Sequence, residues 1–374
     1  MRTAAGLALI VALASTARAD PPPLAFDRVV IDADFPGAYQ VEVADVDGDG
    51  RPDVVALGGD VCAWYQNPSW TKRIITDGKT APGVISSAAA DLDGDGKAEV
   101  AIAYDFEMNQ PRRGKLLLAK PGASPDQPWT LMPVADVGSI HRLRWGDLDA
   151  DGRLDLLVAP IFAYTAVDVA DASRWKRREL ASRRVTHAIE FQPKFPRAHS
   201  PTLLAADNAG VTLVDPSTST IVDDIVPGAD GPAPRRGASE IHVGRFRDGR
   251  LFLATVEPWH GTQVAIWPQI DRDLRSFGPR ILLDDTLADG HALWVVDVDG
   301  DGQDEIFAGH RGKDRRVAVY RLDDATNAWR RTIVDPDVAA QDLRGGDLDG
   351  DGRPDVVAAG GATRNIVWYR PRSR

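Results

Sequence analysis

Five nine-residue stretches set out carboxylates in one pattern. Residues 45–53 read DVDGDGRPD, 91–99 DLDGDGKAE, 147–155 DLDADGRLD, 297–305 DVDGDGQDE and 347–355 DLDGDGRPD. Positions 1, 3, 5 and 9 are acidic every time: Asp45, Asp47, Asp49 and Asp53; Asp91, Asp93, Asp95 and Glu99; Asp147, Asp149, Asp151 and Asp155; Asp297, Asp299, Asp301 and Glu305; Asp347, Asp349, Asp351 and Asp355. Carboxylates this close repel strongly outside bulk water, so the pattern calls for a cation. A hard ion that takes six to eight oxygens in flexible geometry suits it, which points to calcium. The backbone carbonyl of position 7 (Arg51, Lys97, Arg153, Gln303, Arg353) adds an oxygen, and the glycine at position 6 permits the sharp turn. Asp and Gly also make hairpin turns without metal, and one copy would not separate the two readings. Five copies with four acids each favour about five calcium ions. Protein fills every coordinating position, so these ions are expected to be structural.

A second chemistry belongs to histidine. The residue six before each loop start is Tyr39, Ile85, His141, His291 or Gln341, and the same phase of the repeat reaches His187 and the stretch Ser239 to His242. His260 (EPWHG) and His310 (AGHRG) fall in expected loops on the same face, near Glu257, Glu190 and Arg311. Neutral imidazoles from several segments can ligate zinc or another divalent transition metal and leave a position for water or substrate. Glu257 or His260 would then serve as general base. Histidine also suits a partly polar channel with no metal in it, and both readings stand. The sequence has no nucleophile elbow, phosphate-cradling glycine loop, CxxC pair or HExxH motif, so hydrolase and nucleotide-dependent chemistries lose support.

The elements that must position these residues follow from the spacing. Loop starts lie 46, 56, 150 and 50 residues apart, and the long gap holds three periods. Two units with altered loops are therefore expected inside it, one near Pro193 to Ala198 and one at Gly244 to Arg250. Each unit reads as four short strands, as in HALWVV, EIFAGH, RRVAVYRL and WRRTIVD, separated by Gly, Pro or Asp turns and without helical periodicity. Repeats of this length and make-up predict an all-β, seven-bladed β-propeller with four antiparallel strands per blade. The last unit stops one strand short, and FDRVVIDA (Phe26 to Ala33) matches the missing strand, so the N-terminal strand should close the ring. Trp64, Trp267, Tyr320 and Trp368 recur in third strands, where packing between blades accounts for them.

The DxDGDGxxD loop in a repeated four-strand unit resembles the FG-GAP or VCBS-type repeat family known from integrin α-chains and exported bacterial proteins. The resemblance covers Phe26 to Arg370 and implies a propeller with calcium in its loops; it does not imply one activity. The segments EPWHG, GHRGK and HALWVVDVDGDG are also similar to the propeller domain of aldos-2-ulose dehydratases. That likeness implies metal-dependent lyase or isomerase chemistry on keto-sugars.

Bulk properties bound the rest. Residues 1–19 look like a signal peptide, with Arg2, an apolar run Ala4 to Ala14 and a small-x-small site at Ala17 to Ala19, so residues 20–374 should form one secreted or periplasmic domain. No stretch reaches the roughly 20 apolar residues of a membrane span. The single cysteine, Cys62, forbids an intramolecular disulfide and reads as a core residue. The net charge of −11 sits largely in the five loops, and five divalent ions would offset nearly all of it. With basic doublets scattered, nucleic acid is not an expected partner. A carbohydrate or protein ligand at the histidine-bearing mouth is the expected partner, and no motif specifies an oligomeric state.

Overall fold

The computed structural model describes residues 23–159, 161–181, 186–196, 201–272 and 275–372; the expected signal segment lies outside them. Seven four-stranded sheets make up the fold. Blades 1 to 6 occupy residues 38–76, 86–136, 142–179, 186–226, 240–284 and 290–335, each with its strands paired in chain order. Blade 7 takes Ala340–Gly346, Asp355–Gly360 and Asn365–Pro371 and completes itself with Phe26–Asp32. That outer strand pairs antiparallel to Asn365–Pro371, with Phe26 opposite Pro371. Inner strands of successive blades pack side by side, and blade 7's inner strand packs on blade 1's. The ring is closed.

Local sequence explains the layering. Second strands such as DVVALG (Asp53–Gly58) and EIFAGH (Glu305–His310) are buried along their whole length, as continuous β-branched and apolar runs must be when both faces meet neighbouring blades. Outer strands such as AWRRTIVD (Ala328–Asp335) alternate toward solvent. Cys62 is fully buried in the third strand of blade 1, and burial pushes its thiol up. The tryptophans pack between blades as expected: Trp70 meets Trp368 edge-on at 5.5 Å, and Phe252 meets Trp329 at 5.8 Å. A three-residue 3-10 turn, Ala172–Arg174, precedes the outer strand of blade 3.

One tie between blades was not foreseen. The third-strand tyrosine of one blade donates its hydroxyl to the aspartate ending the outer strand of the blade before it: Tyr65 to Asp32 (2.5 Å), Tyr320 to Asp284 (2.7 Å) and Tyr369 to Asp335 (2.9 Å). Asp32 thus marks Phe26–Asp32 as an outer strand by chemistry as well as by pairing. Arg28 adds a 2.6 Å ion pair to Asp335. Deleting residues 26–32 is expected to lower unfolding stability by roughly 3 kcal/mol or more, since ladder bonds, the Tyr65 hydroxyl and an open edge are all left unpaired. Urea melts of the truncated and full chains check this, and equal midpoints would contradict it.

Candidate functional site

The acidic loops join first to second strands on one face. In each, the position-9 carboxylate turns back to accept the backbone N–H of position 2: Val46 to Asp53 (2.9 Å), Leu92 to Glu99 (2.9 Å), Leu148 to Asp155 (3.0 Å), Val298 to Glu305 (3.1 Å) and Leu348 to Asp355 (2.9 Å). Position 1 holds the glycine turn, as Asp45 accepts from Gly48 and Gly50 at 2.8 Å each. In at least four loops the acids of positions 1, 3 and 9 bring one oxygen each to within 4.8 Å of one another: Asp45, Asp47 and Asp53; Asp91, Asp93 and Glu99; Asp147, Asp149 and Asp155; Asp297, Asp299 and Glu305. Position 5 acids instead receive the position-7 N–H, as Asp49 does from Arg51 at 2.8 Å.

These loops fit a divalent cation. Burial pushes the position-9 acids up, Asp53 and Asp355 to about 7, Asp155 to about 6 and Glu305 to about 9, with the neighbouring carboxylates adding to it. Glu99 and Glu305 each keep one buried carboxylate oxygen (Oε1) without a hydrogen-bond partner. A cation would satisfy those oxygens and remove the repulsion together. Third-strand side chains also reach position 3: Gln66 to Asp47 (2.6 Å), Arg321 to Asp299 (3.2 Å), and Lys120 to Asp93. Lys120 Nζ lies 3.5 Å from Glu99 Oε1 as well, so the second loop already holds a positive charge of its own.

The histidines gather at the opposite ends of the same inner strands. His141, His187 and His291 each offer a ring nitrogen, and the three lie within 4.8 Å of one another. Each ring is fixed through Nδ1 to a backbone carbonyl on the inner strand, or at its entry, in the next blade: His141 to His187 O (3.0 Å), His187 to Ser239 O (2.8 Å) and His291 to Gln341 O (2.6 Å). A carbonyl only accepts, so Nδ1 carries the proton and Nε2 presents a bare lone pair to the channel. Metal-binding imidazoles are oriented in this way. Burial, followed by the charge of Arg142 and of neighbouring imidazoles, holds all three well below the ordinary histidine value, so they are neutral near pH 7. Tyr39 places its hydroxyl 3.2 Å from His141 Nε2 and 3.3 Å from His291 Nε2.

His260 closes the mouth from the loop between second and third strands of blade 5. Its backbone is left-handed, with φ of 48°, and its Nε2 lies 2.7 Å from His187 Nε2. Burial and the adjacent Arg311 lower its proton affinity, while Asp289 opposes them. Above it opens a cavity of about 580 Å³ lined by Arg235, Trp259, His260, Thr262, Asp289 and Arg311. Arg311 is pinned by Asp289 (2.7 Å) and Gln341 (2.7 Å). A larger groove of about 810 Å³ lies between blades 5 and 6, lined by Phe246, Leu282 and Trp329 and away from these groups.

Beneath the histidines the channel is filled with buried charge. Arg142 faces Glu240 at 3.3 Å, Arg144 faces Glu42 at 3.6 Å, Arg344 faces Asp342 at 3.3 Å, and His242 Nδ1 lies 3.5 Å from Glu190. Burial pushes Glu42, Glu190 and Asp342 up to about 7, with Arg144 opposing it. Glu240 also reaches His187 Nδ1 at 3.1 Å, tying this belt to the mouth. The signal was present in QVEV, RLRW and DLRG, inner-strand stretches that alternate charged and apolar residues.

Two expected members stand apart from the mouth. Glu257 is fully buried within blade 5, where it pairs with Arg280 (2.7 Å) and accepts from Thr255 and Trp267, so it braces the blade. His310 is the last residue of a second strand rather than a loop residue, and its Nδ1 meets the Ala288 backbone. A strand position turns its ring into the contact between blades 5 and 6. Residue for residue, the mouth keeps Tyr39, His141, His187, His291, His260 and Arg311, and it adds Trp259 and Asp289.

Comparison with known proteins agrees with the fold. A sequence profile of the FG-GAP-like repeat matches residues 45–102 and 297–358, so the chain carries FG-GAP-like repeats. The chain is 24% identical to aldos-2-ulose dehydratase of Phanerodontia chrysosporium over 56% of its own length, and it spans 27% of that protein. A chain in a crystal structure of the mitotic checkpoint complex superposes with a TM-score of 0.56 at 12% identity, covering 97% of this chain and 98% of that one, a likeness of fold alone.

Proposed function

We propose that this propeller with FG-GAP-like repeats is an exported, calcium-stabilised enzyme whose histidine mouth holds a divalent transition metal and dehydrates a keto-sugar, a carbon–oxygen lyase. The observation that carries it is the convergence of three Nδ1-anchored imidazoles next to His260, which lines a cavity of about 580 Å³, large enough for a monosaccharide. The likeness to a protein named for dehydrating an aldosulose supports the substrate class. A bound divalent ion supplies Lewis acidity, polarising a carbonyl or hydroxyl oxygen. The chain's own residues do the rest. His260, neutral and partly exposed, takes the proton from the carbon next to the carbonyl. The hydroxyl on the following carbon leaves with a proton as water, and the product is a conjugated enone. Trp259 stacks on the ring, and Asp289 with Arg311 binds hydroxyls.

A second reading, a carbohydrate-binding module without turnover, is favoured by the same Trp259, Asp289 and Arg311 lining, which needs no catalyst. Incubating zinc- or manganese-loaded protein with 2-keto-sugars separates the two. Growth of enone absorbance, lost in His260→Ala, is the expected result, whereas saturable binding with no absorbance change would leave only the module.

A further inference from the structure

Resting on the metal centre proposed above, we propose that Tyr39 is its fourth protein ligand and that His260 is not a ligand. A count of protons in the mouth leads there. The three Nε2 atoms of His141, His187 and His291 are all acceptors, because each Nδ1 proton is committed to a carbonyl. His260 Nδ1 faces the donor Nη2 of Arg311 at 3.4 Å, so without metal the His260 proton sits on Nε2 and is given to His187 at 2.7 Å; a cation that takes the His187 lone pair displaces this hydrogen bond. Tyr39 then has one proton for two acceptors, His141 and His291, and one lone pair is left facing the phenolic oxygen. A cation bound by both nitrogens and the oxygen removes that conflict.

Distances separate the two candidates. Tetrahedral ligands about 2.0 Å from a metal are about 3.3 Å apart. The phenolic oxygen is 3.2 and 3.3 Å from the two Nε2 atoms, which is that spacing. The 2.7 Å between His260 and His187 is too short for two ligands of one ion and is the length of a hydrogen bond. Tyr39 also meets the His291 and His141 rings edge-on, at centroid distances of 5.4 and 6.4 Å, which aims its hydroxyl between them. The buried guanidinium of Arg142 lies 5.7 Å from the phenol ring, a positive charge beside an oxygen that gives up its proton to buffer as the metal enters. His260 is thereby left free to act on substrate.

Copper(II) is the probe, because a phenolate ligand gives it a visible charge-transfer band that imidazoles do not. Calcium-saturated, otherwise metal-free protein is titrated with one equivalent. The expected result is such a band in the native protein and in His260→Ala, and its loss in Tyr39→Phe, which still binds one copper, roughly tenfold or more weakly. Circular dichroism and melting confirm that Tyr39→Phe is folded. Copper bound without the band in native protein, or a band that survives in Tyr39→Phe, would overturn the phenolate and leave the histidine centre standing. Copper that fails to bind native protein, or binds undiminished after His141→Ala, would overturn the centre itself.

Discussion

Removing calcium is expected to lower the melting temperature by roughly 10 °C, with the loss deepening as pH rises from 6 to 8. At ten times the dissociation constant each site contributes about 1.4 kcal/mol, so five contribute about 7 kcal/mol. An unfolding entropy of about 2.1 cal/mol/K per residue over some 350 residues converts that to about 10 °C. The pH direction comes from the position-9 acids. Without metal, Asp53, Asp155, Asp355 and Glu305 titrate between about 6 and about 9 in the folded chain, against model values of 3.8 and 4.5. Their folded values are raised, so the folded state binds more protons than the unfolded one across that window. That stability is fully present below the unfolded values of 3.8 and 4.5 and is lost as pH climbs through the folded values. Calcium replaces the protons and flattens the dependence. Scanning calorimetry of dialysed protein with and without 1 mM calcium measures both effects. A metal-free Tm that holds or rises between pH 6 and 8, or one that calcium leaves in place, would sink the assignment.

His291→Ala should abolish transition-metal binding at the mouth, with zinc affinity falling a hundredfold or more and enone formation falling with it, while the calcium-dependent shift in Tm persists. One of three fixed imidazoles is lost, and the ring cannot be replaced by water without freeing the Gln341 carbonyl it holds at 2.6 Å. Native protein should keep its zinc on acidification past the usual histidine range. Burial and Arg142 depress the three imidazoles, so they stay neutral and able to bind metal below pH 6.5, where an exposed histidine site has begun to let go. Isothermal titration at pH 7.5 and 6.0 tests this. A tenfold drop between them would show that the rings titrate like exposed ones.

Much of this was legible because repetition is. The loops at 45, 91, 147, 297 and 347 give the period, and the period places two further blades, now seen at residues 186–226 and 240–284. Phe246 shows how a blade manages without the four-acid loop: its buried ring packs 4.9 Å from Phe252 in the turn. Counting from the loops also put Tyr39, His141, His187 and His291 on one ring, since equal positions in equivalent strands must face one axis. Residues outside the repeat were harder. His310 looked like His260 in sequence, yet His310 ends its strand and turns into a blade contact, whereas His260 lies three residues past the end of its strand and reaches over the channel. Glu257 looked like a base because no local signal marks Arg280, 23 positions on, as its partner. The belt of Arg142, Arg144, Glu42 and Asp342 was written in alternating inner strands, but charge on the axis of a propeller is read as core only once the ring is closed.

The closure of that ring bears on timing. Phe26–Asp32 emerges in synthesis more than three hundred residues before its partner Asn365–Pro371. Whichever blades form first, Phe26–Asp32 waits for a partner made more than three hundred residues later, so closure is a late, long-range step. Until then the early strand must be kept from pairing with the exposed edges of its own neighbours. If the acidic loops bind the calcium proposed above, the ion would settle individual blades during that wait and so aid assembly as well as the finished ring.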